Sequence, residues 1–239
     1  MMLFNRTFRP RLWALALTLG AVSGAVALGN WQMQRAESRR ALAADHAAAQ
    51  RAAPLVLPGQ AVAPEAFANR RVRVRGTFVP EHTILLDNRQ RAGRVGYEVV
   101  TPLRIEGGSM HVVVLRGWVP AGPRRDVLPE VPVPPGVQVL EGVALDHLAQ
   151  RYAPDSPAPG ARVWQNLSVE AVRSTTGLAL QPILLEQHSG ANDGLLRDWP
   201  VAGAGAQKNE MYALQWYSLA VLAALLFVVL SFRRHADPS

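Results

Sequence analysis

The two ends of this chain are apolar runs, each long enough to cross a lipid bilayer. The first, residues 12–29, reads LWALALTLGAVSGAVALG and carries no charged residue. The second, residues 211–232, reads MYALQWYSLAVLAALLFVVLSF. The 18 residues of the first run would rise about 27 Å as a helix, which is close to the thickness of the hydrocarbon core. The sequence therefore predicts two transmembrane helices, with one domain of residues 30–210 between them.

The residues around the first run favour an uncleaved anchor. Trp13 and Trp31 bracket the run, as aromatic residues do at membrane interfaces. The run is longer than the usual core of a signal peptide, and the sequence after it continues in helix-forming residues. A cleaved secretion signal is the alternative, because basic residues, an apolar run and Ala25-Val26-Ala27 also fit one.

Arginines outside the two runs predict the orientation in the membrane. They precede the first run at Arg6, Arg9 and Arg11. Two more, at 233 and 234, follow the second run and precede His235. Because positive charge accumulates on the cytoplasmic side, residues 1–11 and 233–239 are expected in the cytoplasm. Residues 30–210 are then expected in the periplasm, beside the inner membrane of a Gram-negative cell.

Alternating apolar and polar residues between the runs predict β-strands. Residues 71–79, RVRVRGTFV, alternate Arg with Val, which is the period of a half-buried strand. Similar patterns predict strands at 82–88, 96–105, 111–119, 138–145 and 180–187. Pro182 lacks a backbone N–H, so it predicts an edge position or a strand start for the last of these.

A short helix and three turn-rich loops complete the predicted domain. The helix is expected at residues 168–175, with Ser168 as its N-cap and Gly177 as its end. The loops are expected at 119–136, 153–162 and 188–207. The predicted fold is thus a membrane protein in which two transmembrane helices flank a mainly β (α+β) periplasmic domain, built as an antiparallel sheet or a small barrel.

Composition excludes several kinds of site. The chain has no cysteine, which excludes disulfides, thiolate metal sites and covalent haem attachment through CxxCH. Its six histidines form no HExxH or other close ligand pair, and the chain has no GxSxG elbow or phosphate-binding loop. The formal charge is +7, but the arginines are scattered along strands and form no basic helix, so nucleic acid is not expected as a partner.

No enzymatic activity is predicted. The carboxylates on or near the predicted strands are Asp87, Glu98, Glu141, Asp146 and Glu186. Two of them could meet as an acid–base pair, but nothing in their spacing selects which. We therefore expect neither catalytic residues nor a metal site.

Two clusters of aromatic and polar residues lie at the ends of the apolar runs that face the domain. Helical spacing places one set on a single face of the first helix: Trp31, Gln32 and Arg35. It places the second set on a single face of the second helix: Tyr212, Gln215 and Trp216. The clusters are either two interfacial belts or the walls of a cleft for a flat amphipathic ligand or a partner helix.

Five motifs carry a family resemblance. In chain order they are LGNWQMQR, VRVRGTF, GYEVVTPL, LRGWVP and YALQWYSLA. In this order between two terminal spans they resemble the surfeit-locus-one family, assembly factors for haem-copper cytochrome c oxidase in bacterial and mitochondrial inner membranes. The resemblance covers nearly the whole chain. It implies a non-catalytic chaperone of respiratory chain biogenesis that assists haem a insertion or retention in the core oxidase subunit.

The resemblance also implies roles for individual residues. Six are candidates for cofactor binding: Trp31, Gln32, Arg35, Tyr212, Gln215 and Trp216. Five are candidates for partner binding: Gly96, Tyr97, Arg116, Gly117 and Trp118. Gly96 and Gly117 would permit close backbone approach or a bulge. Arg116 would either pair with a propionate or a partner carboxylate, or be a solvated strand residue.

The implied ligand and partners are haem a, bound transiently, the core oxidase subunit, the haem a synthesis enzyme and membrane lipid. Members of the family often carry a His a few positions before the tyrosine that matches Tyr212. Here that stretch reads Lys208, Asn209 and Glu210, followed by Met211. The alternatives are a membrane-tethered periplasmic adaptor without a cofactor, and a periplasmic enzyme with a polar cleft of carboxylates or histidines.

Overall fold

The structure is a computed structural model that describes residues 6–8, 10–124, 127–148, 160–199, 203 and 205–234. The helices are α1 (Leu12–Arg51), α2 (Pro64–Phe67), α3 (Val169–Thr176) and α4 (Ala206–Ser231). The strands are β1 (Arg6–Phe8), β2 (Leu55–Val56), β3 (Arg71–Phe78), β4 (Ile84–Arg91), β5 (Arg94–Ile105), β6 (His111–Pro120), β7 (Val137–Leu145), β8 (Val163–Trp164), β9 (Leu180–Gln187) and β10 (Phe232–Arg234).

The chain divides into two compact units. The helix unit comprises residues 1–45 and 201–239, and the barrel unit comprises residues 46–200. Some predicted features lie outside the described residues, namely Arg9, His235 and residues 153–159 of the second turn-rich loop.

The barrel unit contains a closed five-stranded β-barrel. Its strands are hydrogen-bonded in the order β2-β3-β7-β9-β6-β5-β4-β8, and β3 also pairs with β5. That extra pairing closes the ring β3-β7-β9-β6-β5. The β6–β9 pair is parallel, and the other four pairs of the ring are antiparallel. The predicted mainly β domain with a small barrel is confirmed, with one parallel pairing inside the ring that the sequence did not indicate.

Strand β3 shows why alternation was a reliable signal. Val72 and Val74 are buried in the core, whereas Arg73 and Arg75 between them are exposed. Gly76 then pairs with β7 on one side and with β5 on the other. A Cβ at Gly76 would lie 2.1 Å from the carbonyl oxygen of Arg104. Glycine therefore permits the close approach of β5 that closes the barrel.

The expected edge position of β9 is wrong. The strand lies between β7 and β6 in the sheet order. Pro182 is nevertheless tolerated, because pairing with β7 begins only at Leu184 and the β6 register is interrupted between its pairings at Leu180 and Leu184. Its missing N–H thus falls in the irregular start of an interior strand, and the alternative expectation of a strand start is correct.

The short helix forms as the sequence predicts. Ser168 is the N-cap of α3, and its Oγ accepts a hydrogen bond of 3.1 Å from the Ala171 N–H. Gly177 ends the helix in a left-handed conformation with φ of 70°, and its N–H donates to the Arg173 carbonyl at 2.8 Å. The observed bounds differ from the expected ones by a single residue.

In the helix unit, α1 and α4 are both long and apolar enough to cross a membrane. Both leave most of their apolar side chains exposed, which suits a lipid environment better than water. The 40 residues of α1 rise about 60 Å, twice the hydrocarbon thickness. The helix therefore continues well past Gly29, as its helix-forming sequence predicts. The second predicted span ends one residue early, since Phe232 begins β10.

Candidate functional site

Small residues bring α1 and α4 into contact. The buried residues include Ala25, Gly29 and Ala36 on α1, and Ala213 and Ala220 on α4. A Cβ at Gly29 would lie 2.4 Å from the ring of Tyr217, so only glycine allows this contact without a shift. The Tyr217 hydroxyl donates to Asn30 Oδ1 at 2.8 Å. This is the close packing through small residues and hydrogen bonds that is typical of helices in membranes.

Polar contacts also hold α1 and α4 together beyond the contact between Gly29 and Tyr217. Arg40 forms an ion pair with Glu210, and Arg39 Nη1 donates to Asn209 Oδ1 at 3.5 Å. Gly203 packs directly against α1, since a Cβ there would lie 2.2 Å from the Arg39 carbonyl oxygen. These contacts hold the beginning of α4 against the middle of α1.

The six predicted cofactor-binding residues lie at one level of this helix pair. The contacts of Asn30 with Tyr217 and of Arg40 with Glu210 bracket that level on α1. Trp31 is 50 % exposed, and the guanidinium of Arg35 lies 5.3 Å from its ring centroid. None of the six is buried: Trp31, Arg35, Tyr212 and Gln215 are exposed, and Gln32 and Trp216 are half-buried.

Among the described residues at this level, no histidine is placed to ligate haem iron. No histidine lies in the first turns of α4. Asn209 and Glu210 are held by Arg39 and Arg40. Met211 is 58 % exposed and is the only side chain of the segment 208–211 that could reach iron as a ligand. The aromatic and amide groups nearby suit a flat amphipathic surface, and the exposed phenol of Tyr212 is another group here of a type that can ligate haem iron.

The five predicted partner-binding residues form one cluster in the barrel. Gly96 and Tyr97 on β5 pair with Pro120 and Val119 on β6. A Cβ at Gly96 would lie 2.5 Å from the Trp118 indole, so this glycine makes room for the ring. The Trp118 Nε1 donates to the Arg89 carbonyl at 2.8 Å. Tyr97 and Trp118 are buried, so their side chains support the fold from inside.

Arg116 is the most enclosed charge of this cluster. Its side chain is 0 % exposed, so the expectation of a solvated strand residue is wrong. Its Nη2 donates to Asp193 Oδ2 at 3.0 Å and to the Pro132 carbonyl at 2.7 Å. Burial lowers the pKa of the Arg116 guanidinium, and the hydrogen bond to Asp193 opposes that shift. The carboxylate that pairs with Arg116 thus belongs to this chain.

Three further ion pairs surround the cluster. Arg197 Nη2 donates to both carboxylate oxygens of Asp193, at 2.9 and 2.7 Å. Glu98 on β5 is buried against Arg91 at 2.9 Å and Arg89 at 3.3 Å. In the sequence, the only sign of these ion pairs was the i, i+4 spacing of Asp193 and Arg197, and it lies in a segment that was predicted to be a loop.

A polar pocket in the barrel unit bears on the enzyme alternative. It has a volume of about 340 Å³, and Arg71, Glu141, His188 and Ser189 contribute to its wall. The carboxylate of Glu141 accepts from Arg73 Nε at 2.8 Å and from Arg71 Nη2 at 3.2 Å. The hydrogen bond from Arg73, with the charges of both arginines, lowers the pKa of Glu141. A low pKa is the opposite of what a general base at neutral pH requires.

His188 is also engaged in this region. Its Nε2 lies 2.9 Å from a carboxylate oxygen of Glu186. Across the part of the chain that the structure describes, no three His, Cys, Asp or Glu side chains are placed to hold a metal ion. The pocket therefore offers an arginine-bound carboxylate and a paired histidine.

The fold alone defines a structural class, a β-barrel domain flanked by two candidate membrane helices, before any comparison with known proteins. Two candidate membrane helices, one near each end of the chain, flank a mainly β domain with a closed five-stranded barrel. The sequence model of the SURF1 family matches residues 19–221. The chain belongs to the SURF1 family.

Individual relatives agree with this assignment. The chain is 28 % identical to Surfeit locus protein 1 of Mus musculus, over 90 % of this chain and 74 % of the relative. It is 26 % identical to a SURF1-like protein of Monosiga brevicollis, over 91 % of this chain and 86 % of the relative. It is also 26 % identical to Surfeit locus protein 1 of Homo sapiens, over 90 % and 75 % of the two chains.

Proposed function

We propose that this protein is a non-catalytic assembly factor for haem-copper cytochrome c oxidase. Membership of the SURF1 family over residues 19–221 is the observation that carries the proposal. The helices α1 and α4 would anchor the chain in the inner membrane. Both termini would be cytoplasmic and the barrel unit periplasmic, following the positive-inside rule.

The exposed face of the helix pair would contact the core oxidase subunit. Trp31 and Tyr212 are large side chains exposed at the same level, and Arg35 stacks on Trp31. Exposed aromatic residues and arginines are the side chains that most often dominate binding between proteins. A maturing core subunit, itself a bundle of membrane helices, would meet this face inside the lipid interface.

The role in haem a insertion or retention would be indirect. The side chains at the beginning of α4 lack the histidine that a stable haem site would use, and Asn209 and Glu210 are already bound to α1. The protein would therefore hold the core subunit in a state that accepts haem a, with any contact to haem a transient. The haem a synthesis enzyme would be a second partner in the same membrane.

A deletion strain tests the proposal. Loss of the gene is expected to lower haem a-dependent oxidase activity and the haem a absorption of membranes, with oxidase subunit transcripts unchanged. Restoring the full-length gene is expected to restore both signals. Normal assembled oxidase in the deletion strain would overturn the proposal.

Complementation with variants tests the proposed contact face. Trp31→Ala is expected to restore oxidase activity poorly. The matched control is Leu42→Ala, because Leu42 lies on the same helix and is also 50 % exposed. Equal activity for the two variants would remove Trp31 from the contact face. Purification of the wild-type protein in detergent should give oxidase subunits with little haem a, whereas stoichiometric haem a would contradict the indirect role.

A further inference from the structure

The two helices of the helix unit enclose a groove near the end where α1 begins and α4 ends. Its volume is about 420 Å³. Ala14, Leu17 and Ala21 line it from α1, and Ala223 and Leu226 are among the residues that line it from α4. The groove thus lies away from Trp31 and Tyr212, at the opposite end of the same helix pair.

Contacts between the helices or their extensions lie beyond both ends of the groove. Toward the middle of the pair, Gly29 packs against the ring of Tyr217. At the other end, β1 and β10 pair as two antiparallel strands, and the rings of Phe8 and Phe232 lie 5.3 Å apart. The groove is therefore limited in length along the helix pair and open on its side.

The two hydroxyl groups that line the groove, those of Thr18 and Ser231, have no hydrogen left to donate. Thr18 Oγ1 donates to the Ala14 carbonyl at 2.8 Å, and Ser231 Oγ donates to the Phe227 carbonyl at 2.7 Å. A groove of this size would take only about one turn of a helix, since a helix about 10 Å across has a cross-section of roughly 80 Å². A single hydrocarbon chain is several-fold thinner, so it fits where a partner helix does not.

Arg11 places positive charge at the end of the groove where α1 begins. Its side chain is exposed and lines the groove. Among the described residues, it has no acidic partner. An anionic headgroup beside the groove would therefore meet an arginine that no carboxylate of the described chain already neutralises.

We propose that the groove binds an anionic glycerophospholipid of the inner leaflet. One acyl chain lies in the apolar groove, and the phosphate group lies near Arg11. Each arginine near a membrane surface favours anionic lipid by about 1 kcal/mol, which is roughly fivefold in affinity. The inference rests on the membrane orientation proposed above, which puts Arg11 at the inner leaflet, and not on the role in oxidase assembly.

Quenching of Trp13 fluorescence tests the proposal. Trp13 lines the groove, so a brominated acyl chain bound there would quench its indole. The full-length protein is placed in nanodiscs of phosphatidylcholine with increasing brominated phosphatidylglycerol, and in parallel with increasing brominated phosphatidylcholine. The Trp13→Phe variant identifies the part of the signal that belongs to this residue. We expect half-maximal quenching at an approximately fivefold lower fraction of the anionic lipid.

Two variants with matched controls separate the headgroup from the chain. Arg11→Gln is expected to abolish the preference for phosphatidylglycerol, whereas Arg104→Gln, an exposed arginine of β5, keeps it. Ala223→Leu fills the groove and is expected to weaken quenching by both lipids. Ala16→Leu makes the same change at an exposed position of α1 outside the groove, and is expected to leave quenching as in the wild type.

Several outcomes would overturn the proposal. Equal quenching by the two lipids would remove the anionic site, and equal effects of Ala223→Leu and Ala16→Leu would remove the groove. Competition by excess inorganic phosphate would show a phosphate site without a lipid chain. Because Arg11→Gln changes only an exposed side chain, its result stays informative even if Ala223→Leu disturbs the helix pair, which circular dichroism would reveal.

Discussion

The barrel unit and the helix unit bury different kinds of residue. The barrel encloses Arg116 and Asp193 among Leu, Val and Trp side chains. The helix pair buries mainly small residues, such as Ala36 and Ala213, and leaves its large apolar side chains exposed. In water, burial of apolar surface stabilises a core. In lipid, burial of a leucine between helices does not stabilise the pair in this way, because the lipid tails are equally apolar. Close contact through small residues and hydrogen bonds holds such helices together instead.

This difference predicts which kind of substitution each unit tolerates least. The barrel should be most sensitive to changes that leave a buried charge without a partner. The helix pair should be sensitive to added volume at its small residues, and nearly indifferent to changes among its exposed leucines.

The largest effect is expected for Asp193→Asn. The variant leaves Arg116 and Arg197 close together without a carboxylate, and an unpaired buried charge costs about 3–5 kcal/mol. Urea unfolding of the full-length protein in detergent, followed by tryptophan fluorescence, measures the loss. The matched control is Asp198→Asn, whose side chain is 63 % exposed and which lies 3.8 Å from Arg91. That control should cost at most about 1 kcal/mol, and equal losses would contradict the account of the buried cluster.

A smaller effect is expected for Gly96→Ala. The new methyl group would lie 2.2 Å from the Val119 carbonyl oxygen and 2.5 Å from the Trp118 ring. Overpacking of this kind costs about 1–3 kcal/mol. Gly190→Ala is the control, because a Cβ there meets nothing within 4 Å. The same urea titration distinguishes the two, and a stable Gly96→Ala protein would show that the indole can move.

In the helix unit, Gly29→Ala is expected to weaken the helix pair by about 1 kcal/mol, because the new methyl group would displace the Tyr217 ring and its hydrogen bond to Asn30, and a hydrogen bond between membrane helices contributes about that much. Gly24→Ala, five residues earlier on α1, is the control because nothing lies within 4 Å of its Cβ position. Single cysteines at Ser38 and Gln207 can carry fluorescent labels, since the chain has no native cysteine. Energy transfer should fall for Gly29→Ala only, and unchanged transfer would place the contact elsewhere.

The smallest effect concerns Glu141. Hydrogen bonding to Arg73 holds its pKa below the ordinary value of 4.5, so the folded state binds the proton less readily than the unfolded state. Its contribution to stability is therefore complete above pH 4.5 and is lost as pH falls through the lowered pKa. The midpoint of urea unfolding should decline with acid less steeply in Glu141→Gln than in the wild type. Parallel pH profiles would exclude this ion pair as a contributor.

The sequence predicted local structure well wherever one residue type repeats at a fixed period. Val72 and Val74 alternate with arginines in β3, and Ser168 and Gly177 bound α3 as expected. Arg116 was not recognised as buried, because its partner Asp193 lies 77 positions away in a segment rich in turn formers. Burial of a charge depends on that distant contact, which no local pattern contains.

The site was predictable to a similar extent. Helical spacing placed Trp31 and Arg35 on one face, and the structure brings them into contact. Barrel closure at Gly76 and the β1–β10 pair had no equivalent signal, since both depend on the meeting of strands far apart in the sequence. The partner and cofactor roles of the predicted residues stay predictions, because the structure contains this chain alone, without a partner or a ligand.

We propose that both terminal helices cross the membrane and keep the barrel unit outside the cytoplasm. Single cysteines at Arg104 and at Ser239 test it in intact cells, because the chain has no cysteine of its own. A membrane-impermeant maleimide is expected to label the cysteine at position 104 once the outer membrane is opened, and the cysteine at 239 only after the inner membrane is permeabilised. Labelling of position 239 without that step, or protection of position 104 until then, would contradict the account.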